Sequence, residues 1–204
     1  MIVLGLTGSI GMGKTTTARF FADMGVPVLD SDAVVHALYE REAVAQIDQA
    51  FPGTNIGGHV DRAELSRRVL DNPSALRKLE TIVHPLVKQA QSRFLAEAER
   101  AGALVVVLDI PLLFETGADA NVDAVVVVTA PIKVQRARVM DRPAMTAAKL
   151  EALLQRQVPD AEKRRRADFI VDTSHGFDSA RAQVRAILEA VPAIRTEAAR
   201  SRHA

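Results

Sequence analysis

The 204-residue chain has no cysteine and no tryptophan, a single tyrosine, and only 4% aromatic residues. Without cysteine, disulfide scaffolding and thiolate metal centres are excluded. Neither sign of charge is in excess: 26 Lys and Arg stand against 25 Asp and Glu, a net charge of +1. Proteins that coat nucleic acid usually carry a marked basic surplus, so no broad polyanion-binding surface is expected. No apolar run reaches membrane-spanning length, and the longest, 103–108 and 124–128, are strand-sized. The opening residues MIVLGLTG lack the basic stretch and the long apolar core of a secretory signal. The five histidines lack metal-ligand spacing. The expectation is a soluble cytoplasmic protein without nucleic-acid or membrane partners, a monomer or weak homo-oligomer.

What the chain does have is aliphatic residues in short continuous blocks. Ile2 to Leu6, Val26 to Leu29, Leu104 to Asp109, Ala124 to Thr129 and Phe169 to Val171 read as five strands buried on both faces. Helical spacing lies between them, over 14–24, from Pro131 to Met140, from Thr146 to about Val158, and from Ser179 to Ala190. Strands alternating with helices predict an α/β fold on a parallel sheet. From Ala33 to Gly102 every signal is helical, with Asp61 to Glu64 as a capping box and Asn72-Pro73 as a helix start. Pro85 is expected to kink or break the helix it lies in. This stretch reads as a helical insertion between the second and third strands. The tail from Arg195 to Ala204 has little reason to order.

The first strand runs into Gly8-Ser-Ile-Gly-Met-Gly-Lys-Thr15, which matches G-x-x-x-x-G-K-[ST]. Glycines let the backbone wrap so that successive N–H groups converge on phosphate oxygens, and the helix that follows presents its positive end to the same anion. Gly8, Gly11, Met12, Gly13, Lys14, Thr15 and Thr16 are therefore the candidate nucleotide-binding residues. Lys14 has the reach for β- and γ-phosphates, and the Thr15 hydroxyl suits Mg²⁺. The motif specifies a nucleotide site and leaves the phosphate acceptor open.

Other candidates surround this loop. Asp30 and Asp32 follow the second strand, at the sheet edge where parallel folds bind ligands. They fit either a proton acceptor or Mg²⁺ ligand, or simple capping of the helix from residue 33. Asp109 ends the third strand in VVVLDIP, fitting either a magnesium-assisting carboxylate or a turn residue before Pro111. Arg136, Arg138 and Arg142 lie on or just after one helix, and Arg142 stands where a lid would begin. Lys163 to Arg166 read mainly as a solvated basic face. His84 breaks a helix beside Pro85. Tyr39 and Phe51 are expected to pack the insertion rather than stack on a base.

The segments GLTGSIGMGKTT, VPVLDSDAV, VHPLV, DIPLLFETG, the Asp141-Arg-Pro-x-Met-Thr146 stretch and FIVDTS resemble dephospho-coenzyme A kinases in order and interval, over residues 1 to about 190. The resemblance implies a three-layer P-loop NTPase fold with a five-stranded parallel sheet. It implies a nucleotide-binding core at 1–32 and 103–194, with a lid at about 142–167, and a helical domain at 33–102 for the acceptor. It implies ATP as donor, Mg²⁺ as cofactor, and phosphorylation of the ribose 3′-hydroxyl of dephospho-CoA, the last step of coenzyme A biosynthesis. By motif position Asp32 matches the general base, Thr7 a phosphate-site hydroxyl, and Arg142 a lid residue near adenine or phosphate. Asp30 and His84 match the acceptor side, and 172–174 a loop near the adenine. Ser9, Asp109 and Pro143 depart from the residues common there.

The alternative within enzymes is another small-molecule or nucleoside monophosphate P-loop kinase. A GTPase-type switch would carry Asn-Lys-x-Asp, and the chain has no Asn-Lys dipeptide. A nucleic-acid-driven ATPase is disfavoured by the balanced charge.

Overall fold

Along the chain the elements are β1 (Ile2–Thr7), α1 (Lys14–Asp23), β2 (Val28–Asp30), α2 (Ser31–Glu40), α3 (Val44–Ala50), β3 (Asn55–Ile56), β4 (His59–Val60), α4 (Arg62–Val69), α5 (Pro73–Arg100), β5 (Val105–Asp109), β6 (Ala124–Thr129), α6 (Ile132–Met140), α7 (Ala147–Gln155), α8 (Asp160–Arg165), β7 (Phe169–Asp172) and α9 (Phe177–Ser201), with a short 3-10 helix at Ala118–Asn121. The computed structural model describes residues 1–201, with side chains through Val191. Among the described residues, no helix is long and apolar enough to cross a membrane.

The sheet is parallel, with strand order β2-β5-β1-β6-β7. Its centre is β1, registered on β5 through Ile2 opposite Val105 and on β6 through Leu4 opposite Ala124. The run AVVVVT of β6 is buried at every position, and its residues divide by period two between the faces. Val126 and Val128 enter one cluster with Leu4, Phe21, Val107 and Val184, whereas Val125 and Val127 pack with Leu113 and Phe114. Two covered faces explain the absence of polar alternation. Each fully buried Val contributes roughly 1.5–3 kcal/mol relative to exposure.

The chain divides into two compact units, residues 1–28 with 98–204 and residues 29–97. The second unit begins at Leu29, so it takes in the end of β2 with Asp30 as well as Asp32 at the start of α2. It has its own core of Leu38, Ile47, Phe51, Val60, Leu65 and Leu79. Phe51 packs there as expected, with the ammonium of Lys78 5.5 Å from its ring centroid.

Three sequence expectations about this stretch need correction or completion. It is not wholly helical, because β3 and β4 form a small antiparallel hairpin pairing Asn55 with Val60. Its turn is Gly57-Gly58, both at positive φ, a pairing suited to a tight hairpin. Helix α5 neither breaks nor ends at Pro85. Proline removes the bond to the Thr81 carbonyl, but Thr81, His84 and Pro85 are all exposed, so solvent has access to this turn. The Asp61 capping box forms by half: Asp61 accepts from Ala63 N and Glu64 N, while Glu64 turns to Arg67 and Arg68.

In the first unit, helix α9 continues to Ser201, so the backbone of 195–201 is helical where composition gave little reason for order. Residues 202–204 of that expected tail lie outside the described residues.

Candidate active site

Strand β1 delivers the chain into the phosphate loop, and α1 takes it out again. Gly13 occupies the N-cap of α1 at φ 94°, with no side-chain cap and no acidic residue in the first turn. The first N–H groups of α1 are thus left to an outside anion. Gly11 lies at φ 79°, and a Cβ there would stand 2.4 Å from Val139 Cγ2. Gly8 has no room either: its Cβ would meet the Val128 carbonyl oxygen at 2.7 Å.

The loop's shape is imposed from outside as well. Gln135 Nε2 donates to Ile10 O at 2.8 Å, and Ile10 N donates to Gln157 Oε1 at 3.2 Å. Thr173 Oγ1 donates to Met12 O at 2.8 Å, and Arg138 Nη1 donates to that hydroxyl at 2.7 Å. The Met12 side chain is buried under the loop, so only its backbone can serve phosphate. Strain and clash together predict that Gly11→Ala costs about 1–3 kcal/mol of stability and weakens ATP binding at least about tenfold. Thermal unfolding and nucleotide titration of the purified variant check both, and a variant as stable and as tight as the parent would contradict this account of the loop.

Lys14 Nζ lies 2.5 Å from Asp109 Oδ1 at the end of β5, with Asp109 almost fully buried. Thr15 is exposed at the start of α1, and Thr16 lines a cavity of about 240 Å³ with Gly11, Gly13, Arg138, Arg142 and Thr173. Arg142 thus faces the same opening as the loop glycines. Thr7 does not fit the phosphate-site role expected of it. It is fully buried, and its hydroxyl donates to Pro111 O at 3.0 Å, tying β1 to the segment after β5. A larger cavity of about 700 Å³, lined by Met12, Gln135, Gln157, Asp160 and Arg164 among others, adjoins the loop without including Lys14. Chemistry favours the smaller opening, where the loop glycines meet guanidinium groups.

The basic run also needs correction. Lys163 is not solvated but has no exposed surface, and its Nζ lies 2.9 Å from Glu115 Oε1. Arg164 and Arg166 pair with Asp160 and Asp119 instead. Of the other arginines, Arg136 pairs with Glu151.

At the end of β7, burial alone would raise the Asp172 carboxyl. Hydrogen bonds from Ser174 and the charges of His175 and Arg138 outweigh it and hold the group below its ordinary range. A lowered carboxyl contributes stability above its unfolded pKa, near 4, and loses it as pH falls through the folded value. The parent should therefore lose more stability than Asp172→Asn below about pH 4. Parallel melts from pH 7 to 3 measure the difference, and superimposable curves would refute it.

The inserted unit carries the other candidates. Asp30 is the N-cap of α2, its Oδ1 accepting from Asp32 N at 2.9 Å and Ala33 N at 3.0 Å. Among the described residues, the Asp32 carboxylate has no hydrogen bond or ion pair of its own. Both line a cavity of about 490 Å³ with His36, Tyr39 and Arg62, and Arg62 Nη1 lies 3.2 Å from His36 Nδ1. Burial pushes the Tyr39 phenol up, and Arg62 draws it partly back. His84, exposed on α5, does not line this cavity. Sequence reasoning missed His36 and Arg62. Their spacing, 26 residues apart, carries no local pattern.

A family model for dephospho-CoA kinase matches residues 2–179. The chain belongs to the dephospho-CoA kinase family. It is 61% identical over 190 residues to the dephospho-CoA kinase of Rhodopseudomonas palustris (strain BisB18), covering 93% of this chain and 96% of that protein. The crystal structure of TT1252 from Thermus thermophilus superposes with a TM-score of 0.81 at 34% identity, covering 92% of this chain and 96% of that one. The dephospho-CoA kinase from Campylobacter jejuni shares the fold, with a TM-score of 0.64 at 21% identity over 93% of this chain and 96% of that one.

Proposed function

We propose that the protein transfers the γ-phosphoryl group of ATP to the ribose 3′-hydroxyl of dephospho-CoA, giving CoA and ADP, the final step of coenzyme A biosynthesis. The observation that carries this reading is the 61% identity to a dephospho-CoA kinase, joined to a phosphate loop that supplies the donor site. Gly8 and Gly11 leave no room for a Cβ, the helix terminus is uncapped, and Lys14 opens the helix.

The acceptor oxygen attacks the γ-phosphorus, the bond to the β–γ bridging oxygen breaks, and ADP leaves. The acceptor's proton passes to a carboxylate. Asp32 is assigned that role because its carboxylate is exposed and uncommitted, whereas Asp30 spends an oxygen on two backbone N–H groups. Loop amides and Lys14 bind the β- and γ-phosphate oxygens, and Arg142 brings further positive charge to the same opening. Residues 142–167 serve as a lid and residues 29–97 hold the acceptor.

The donor set suits Mg²⁺: the Thr15 hydroxyl and the Asp109 carboxylate are hard oxygens, and this ion takes one or two protein ligands beside substrate phosphates. When bound, it would neutralise charge on the β- and γ-phosphates. The protein is assigned to the cytoplasm, acting on free ATP and dephospho-CoA as a monomer or weak homo-oligomer.

ADP release, measured with dephospho-CoA present, omitted, or replaced by shikimate or a nucleoside monophosphate, tests the proposal. Turnover should require dephospho-CoA. Preference for another acceptor would overturn it.

A further inference from the structure

Buried in the first unit is a charged pair outside the phosphate-binding groups. Lys163 of α8 has no exposed surface, and its Nζ lies 2.9 Å from Oε1 of Glu115, on the segment that follows β5. Neither Lys163 Nζ nor the second carboxylate oxygen, Oε2, has a hydrogen bond of acceptable geometry among the described residues. Two ions withdrawn from water and only partly satisfied are a poor source of stability, and apolar residues of equal volume generally do as well. Such a pair is better explained by what it holds in place.

What it holds is visible in the next link. Glu115 Oε1 also accepts from the backbone N–H of Val158 at 2.8 Å. Val158 directly follows Gln157, whose Oε1 accepts from Ile10 N in the phosphate loop. Ile10 is gripped on its other side by Gln135, and the next residue is Gly11, where Val139 leaves no room for a side chain. The path runs from Lys163 through Glu115 and Val158 to Gln157 and so to the loop backbone.

We infer that Glu115 and Lys163 are positioning residues for phosphoryl transfer: they anchor residues 157–158, the returning end of the lid segment, so that Gln157 fixes the phosphate loop in its nucleotide-binding shape. Neither residue touches a phosphate; both act through Gln157. This inference rests on the kinase reading above.

Three variants separate positioning from bulk stability. Glu115→Met with Lys163→Met removes both charges, keeps the volume, and takes the acceptor from Val158 N–H. Glu115→Gln with Lys163→Met also removes the charges but leaves an amide oxygen for Val158. Gln157→Ala cuts the last link from a half-buried position. ATP affinity by calorimetry and kcat and KM by ADP release are measured alongside melting temperature.

Gln157→Ala should weaken ATP binding and lower kcat/KM for ATP by about tenfold to a hundredfold, with its melting temperature near the parent's. The Met–Met variant should show the same kinetic defect while folded, the Gln–Met variant should recover most of it, and adding Gln157→Ala to Met–Met should worsen nothing. Parent-like ATP binding in Gln157→Ala, or in a folded Met–Met protein, would overturn the inference. So would additive defects in the combined variant. If neither double variant folds, Gln157→Ala decides alone. Failure of the parent to phosphorylate dephospho-CoA would sink the kinase assignment instead, with calorimetry still reporting on the loop.

Discussion

Lys14→Ala should lower kcat by about a thousandfold, the scale at which one preorganised charge acts on a developing transition state. Two effects are folded into that substitution. The first is the loss of a cation from phosphate oxygens. The second concerns Asp109, 2.5 Å from Nζ and 2% exposed, from which the substitution takes a charge partner. Removing one member of such a pair costs on the order of 2 kcal/mol here, less than for a fully enclosed pair because Lys14 is 15% exposed. Adding Asp109→Asn to Lys14→Ala isolates the second effect: the double variant should regain thermal stability, while kcat of the folded Lys14→Ala single variant reports the first. If Lys14→Ala kept kcat within about tenfold of the parent, the phosphate-binding role of this lysine would be refuted.

Asp32→Asn should lower kcat by about a hundredfold or more, the range of positioned general bases, and change KM for ATP by less than about threefold. An amide matches the carboxylate in shape but cannot take the acceptor's proton. Asp30 provides the contrast. Because its oxygen caps α2, Asp30→Ala should cost about 1 kcal/mol of stability with a smaller kinetic effect. Steady-state kinetics on the two variants, with melts to correct for unfolding, distinguish the roles. Full turnover by Asp32→Asn would remove it as the base.

The phosphate loop was legible because eight consecutive residues carry its motif: glycines, two of them at positions where a Cβ would clash, and a lysine and a threonine at the helix start. The five-stranded sheet was legible because strands covered on both faces must be continuously apolar, as β6 is. The hairpin of β3 and β4 was lost because strands of two residues show no period, although its Gly-Gly turn was in view. Lys163 looked solvated because a charge run does not reveal a partner 48 residues earlier in the chain. Gln135 and Gln157 reach Ile10 across 125 and 147 residues, and no local pattern encodes such contacts. Asp30 and Asp32 could not be told apart in sequence, since either can cap a helix; the cap geometry separates them.

The place of β1 at the centre of its sheet has a consequence for synthesis. Both flanking neighbours of this strand come more than 100 residues later, with Ile2 waiting for Val105 and Leu4 for Ala124. A chain emerging from the ribosome therefore completes residues 29–97, with their separate core, before the first strand has a sheet to join. Closing that separation is entropically slow, and until it closes an apolar N-terminal segment stands unpaired. The insertion should become protease-resistant on shorter nascent chains than the phosphate loop, and stalled chains ending before β6 should be the most aggregation-prone of a length series.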